Sequence, residues 1–69
     1  MVERWIDGYR VEATRADATV IVSIYNAFGT LLDQIEGYSV NRLYRAWCKS
    51  RRFTPDVATA IGELWEATK

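Results

Sequence analysis

Eight residues from Thr19 to Asn26, TVIVSIYN, are rich in β-branched side chains and apolar at odd and even positions alike. A strand buried on one face alternates apolar with polar, so a segment apolar on both belongs at the centre of a sheet. Its neighbours are then expected to be strands, and the flanking sequence reads that way. Residues Tyr9 to Thr14, YRVEAT, place Tyr9, Val11 and Ala13 on one side and Arg10, Glu12 and Thr14 on the other, as a half-buried strand does. Thr30 to Gly37 supplies a third strand, with Leu31 and Ile35 facing one way and Leu32 and Gln34 the other. Asp33 breaks that pattern, which suits an edge. Arg15 to Ala18 and Asn26 to Gly29 read as the turns. Upstream, Asp7-Gly8 is a tight-turn signal, so Arg4 to Ile6 either adds a short extra strand or folds Trp5 over the core.

From Tyr38 the period changes. Ser39 sits where an N-cap should, ahead of a helix from Val40 to about Arg52 whose basic residues gather toward the C-terminal half, where the dipole favours them. Thr54-Pro55-Asp56 opens a second helix, with a capping hydroxyl, a proline suited to the first helical position and an acid beside the N-terminal dipole. Val57, Ile61, Leu64, Trp65 and Thr68 give it an inward face, and Thr59, Gly62, Glu63 and Glu66 point out. The expected fold is α+β: a three-stranded antiparallel β-meander followed by two α-helices packed on one face, βββαα, as one domain over residues 1–69.

A core for such a chain must be dense, because 69 residues leave little net stability after folding. Hydrophobic residues make up 49%, and the aromatic side chains (three Trp, four Tyr, two Phe) supply bulk. A single Cys48 forms no internal disulfide, and without histidine an ordinary zinc site is not expected. No apolar run approaches a membrane span and the N-terminus does not read as a signal peptide, so a soluble cytoplasmic protein, complete as a small gene product, is the expectation. Net charge is zero, which argues against bulk nucleic-acid packaging. The zero hides a pattern: residues 41–52 carry five of the nine basic residues and no acid, between two acidic segments.

Helical spacing sorts that basic run. Arg42, Arg45, Lys49 and Arg52 fall on one side, and Val40, Leu43, Tyr44 and Trp47 on the other. Such a stripe can grip phosphate or an acidic protein surface; the plainer reading is a solvated helix face with some arginines paired to Asp33, Glu36 or Glu66. The sheet offers a second surface. With the helices over Tyr9, Val11, Val20, Val22 and Ile24, the opposite face shows Arg10, Glu12, Ile21, Tyr25, Leu32 and Gln34, of which Ile21, Tyr25 and Leu32 form an apolar patch for a partner unless Trp5, Tyr38 or the N-terminal segment covers it.

Catalytic chemistry finds little support. Without histidine the Ser-His-Asp and Cys-His arrangements cannot be built, and no phosphate-cradling glycine motif or metal-ligand spacing occurs, so neither catalysis nor a cofactor is expected. Cys48 lies at the margin of the apolar stripe beside Trp47 and reads as a small core filler. Asp33 with Glu36 reads as bracketing the basic helix, and Glu63 with Glu66 as solvated charge on a polar helix face. A helix-turn-helix reader is disfavoured because the second helix carries Asp56, Glu63 and Glu66. What remains is a non-catalytic binding protein. It docks on a larger protein or nucleoprotein complex through Arg42, Arg45, Lys49, Arg52, Ile21, Tyr25 and Leu32. By analogy of size and make-up it is a phage or mobile-element accessory protein inhibiting a host defence complex. The alternative is a nucleic-acid binder using residues 42–52 for phosphate contacts, and a homodimer through the sheet is compatible with both.

Overall fold

The turn at Asp7-Gly8 sets the start of the architecture. Both residues have positive φ, 51° and 83°, the signature of the two-residue turn whose twist matches a hairpin. It joins β1 (Val2–Ile6) to β2 (Tyr9–Ala16), with Ile6 opposite Tyr9. In the computed structural model, which describes residues 1–49 and 55–69, β2 pairs with β3 (Thr19–Tyr25) and β3 with β4 (Leu31–Gly37). One antiparallel sheet results, in the order β1-β2-β3-β4, followed by α1 (Val40–Cys48) and α2 (Pro55–Ala67).

The α+β class and the antiparallel meander are as the sequence implies, but the strands number four, not three. The added strand is β1. Its centre, Glu3-Arg4-Trp5, is exposed throughout, so burial leaves no mark on its sequence, and an edge strand needs only its backbone paired on one side. Trp5 therefore does not fold over the core. β2 is also longer than its alternating stretch, because Arg15 and Ala16 stay in the ladder and the turn is confined to Asp17-Ala18, with Asp17 at φ 58°.

The helices cover the face that carries Val11, Ala13, Val20, Val22 and Ile24, all buried, and add Leu43 and Trp47 from α1 and Ala60, Ile61 and Leu64 from α2. Val2, Ile6, Tyr9, Ile35, Val40, Tyr44 and Trp65 pack around this centre half-buried. Gly37 lets α1 come close: a Cβ there would lie 3.0 Å from the Arg42 Cβ and 3.2 Å from the Leu43 nitrogen. Ser39 caps α1 as expected, its hydroxyl accepting from the Arg42 N–H at 3.3 Å.

Four local expectations change. α1 ends at Cys48 rather than Arg52, with the Lys49 N–H donating to the Ala46 carbonyl at 3.3 Å in a tightened last turn. Arg51, Arg52, the Thr54 cap and the Val57 side chain lie outside the described residues. Cys48 is exposed and fills no core space, because one residue past Trp47 is a turn of about 100° away from the buried line. Gly62 does not point outward: a Cβ there would meet the Tyr44 hydroxyl at 3.6 Å, so it marks the crossing of α2 over α1. In β4 the register shifts between Ile24 and Tyr25, so that Ile24 opposes Asp33 while Tyr25 opposes Leu31. Leu32 is the extra residue of a bulge, and it is Leu31 that shares the face of Tyr25.

α2 is fastened to the sheet at two points in its C-terminal half. Just past its midpoint Glu63 pairs with Arg4 of β1 at 3.1 Å. At its end Arg15 of β2 donates through Nε to the Thr68 carbonyl at 3.0 Å and lays its guanidinium 4.7 Å from the Trp65 ring centroid. Among the described residues no helix is long and apolar enough to cross a membrane.

Candidate functional site

Register places the side chains of the helix-free face in three rows across the sheet. The first runs through all four strands, Trp5 opposite Arg10, Arg10 opposite Tyr25 and Tyr25 opposite Leu31. The Arg10 guanidinium lies 4.2 Å from the Tyr25 ring centroid and also pairs with Glu12 and, at 3.4 Å, with Glu3. The second row is polar: Glu3, Glu12, Ser23 and Gln34, with the Gln34 amide donating to the Ser23 hydroxyl at 2.9 Å. The third holds Thr14, Ile21 and Glu36.

The first row stands at the end of the sheet where both the β1–β2 turn and the β3–β4 loop lie. That loop is held by Asn26, whose side-chain oxygen accepts from the N–H groups of Phe28 and Thr30 at 2.9 and 3.0 Å. Gly29, at φ 86°, completes the reversal. Phe28 is thereby presented at the tip, 93% exposed, at the same end of the sheet as Trp5 at 61% and Leu31 at 49%. These three, with half-buried Tyr25, make an aromatic and aliphatic end with one internally neutralised arginine.

The expected patch of Ile21, Tyr25 and Leu32 is not brought together. Ile21 is half-buried and sits two rows from Tyr25, with Ser23 between them, and Leu32 is taken up by the bulge. Leu31 lies opposite Tyr25 instead, with Trp5 farther along the same row beyond Arg10 and Phe28 in the adjoining loop. A pattern search for buried faces passes over them because none is buried. The signal available was the NAFG loop, whose Phe has no core to fill.

At the opposite end of the sheet, about 20 Å away along β3, a groove of about 500 Å³ opens between α1 and the close of β4. Its walls include Arg42, Arg45 and Lys49 from α1 and its C-cap, Tyr38 from the connection, and Thr19 and Glu36 from the sheet. All three basic residues are exposed. Arg42 stacks its guanidinium 5.0 Å from the Tyr38 ring centroid, and Arg45 and Lys49 make no ion pair among the described residues. Glu66, one expected partner for the stripe, is engaged by Lys69 at 3.2 Å instead. Glu63, its candidate companion for acid–base work, is engaged by Arg4. Comparison with protein-family models, curated proteins and solved structures finds no match for the chain.

Proposed function

We propose that this chain is a non-catalytic binding protein that docks on a larger protein through the helix-free face of its sheet, at the end bearing Trp5, Tyr25, Phe28 and Leu31. The observation that carries this reading is the cross-strand row with Phe28 projecting beside it. A small chain short of core material here leaves a Trp, a Phe and a Leu in water together. Trp, Tyr and Arg are the residues that dominate interface energetics, and they occupy this row side by side. Arg10 already has Glu3, Glu12 and the Tyr25 ring as partners, so covering the row strands no lone charge. The rest of the face carries Glu3, Glu12 and Glu36 against Arg10, so the fitting partner presents an apolar pocket within a basic rim.

The test compares immobilised wild type with the Trp5→Ala/Leu31→Asp double variant in nuclease-treated lysate. Both positions are exposed, and circular dichroism verifies that the fold is retained. A protein retained by wild type and lost by the variant is expected. Equal retention, capture abolished by nuclease, or sedimentation showing that the face is consumed by a second copy would overturn the reading.

A further inference from the structure

We infer that the groove between α1 and the end of β4 takes the phosphodiester backbone of single-stranded nucleic acid, with a base stacked on Tyr38. The site is separate from the docking row, at the other end of the sheet, and does not depend on it. Arg42, Arg45 and Lys49 are spaced three and four residues apart, so they neighbour one another on the helix surface and repel. Glu36 is the one carboxylate among the groove's lining residues. Here α1 has no acid in its first turn, and Arg45 and Lys49 stay unpaired among the described residues. An anion supplied from outside relieves the repulsion.

Geometry selects among anions. The basic groups line a concavity rather than a convex ridge, and Tyr38, 60% exposed, stands in its wall with Arg42 already against its ring. Cations following a backbone beside an aromatic platform are the combination that holds unpaired strands, since every base has a face to stack and a duplex withholds its bases. α2 is unsuited to a groove of duplex DNA because Asp56, Glu63 and Glu66 are all exposed on it.

Fluorescence anisotropy with labelled oligo-dT and oligo-U of about 20 nucleotides, longer than the sites such grooves cover, tests the assignment, with a duplex and polyglutamate as competitors. Oligo-dT and oligo-U distinguish DNA from RNA as the source of the backbone. Wild type is expected to bind at least one of them at about 50 mM salt. The slope of log affinity on log salt should be about −2, three contacts at roughly −0.7 each. Arg45→Ala/Lys49→Ala should bring the slope to about −0.7 and weaken binding at least about tenfold. Tyr38→Ala should weaken it about fivefold or more with the slope kept. Trp5→Ala/Leu31→Asp should leave it unchanged, which separates this site from the docking row. No binding at low salt, equal binding by the Arg45/Lys49 variant, tighter binding of duplex, or equal competition by polyglutamate would overturn the inference.

Discussion

Trp47 shows how one residue can be both the anchor of a core and its flaw. Its side chain is fully buried, yet among the described residues its indole N–H has no acceptor. An unmet buried donor forfeits its hydration without return. Trp47→Ala should therefore cost about 3–5 kcal/mol through the cavity, while Trp47→Phe should cost less than about 1.5 kcal/mol because it also removes the orphan donor. Urea denaturation monitored by circular dichroism measures both, and a Phe variant as damaged as the Ala variant would mean that the N–H has a partner. The burial of Trp47 was legible, since it follows Leu43 by one helical turn. The missing acceptor was not, because an acceptor belongs to whatever other segment packs there. Leu31 and Leu32 show a second limit. Period-two reading assigns them faces correctly only while the strand is regular, and one inserted residue reverses the assignment.

At the level of elements, the central strand, the meander and the capped start of α1 could be read from composition, alternation and Ser39. β1 was legible only as one of two options, since an edge strand exposed at its centre obeys no burial pattern. Of the glycines that set how elements approach, Gly62 read as outward and Gly37 only as the close of a strand. Gly37 and Gly62 now predict opposite outcomes. Gly37→Ala would press a methyl against Arg42 and the Leu43 backbone, which a capped helix start cannot easily yield, and should destabilise by about 1–2 kcal/mol. Gly62→Ala meets only the Tyr44 hydroxyl at ordinary contact distance and gains helix propensity, so it should stabilise by about 0.5–1 kcal/mol. Thermal melts of the two variants, shifted in opposite directions, check the pair.

Over the whole molecule, the return of the C-terminus to the sheet rests on two arginines of unequal worth. Arg4 and Glu63 form a pair whose side chains are 44% and 56% exposed, so Arg4→Ala should cost less than about 0.5 kcal/mol. Arg15 is half-buried, bonds across 53 residues of chain and lies on Trp65, so Arg15→Ala should cost about 1–2 kcal/mol through lost packing as well as lost charge. Chemical denaturation of both variants ranks them, and equal losses would contradict the account. The cationic groove was half legible: the helical stripe of Arg42, Arg45 and Lys49 followed from spacing, whereas Tyr38, Thr19 and Glu36 joined it only when β4 delivered its end to α1. Finally, the extra residue at Leu32 has a bearing on solubility. Fibril growth proceeds by adding straight strands to an open rim, and β4 is an outer strand of a chain heavy in aromatics. The kink there, followed at once by the Asp33 carboxylate, denies an incoming strand a continuous ladder to copy.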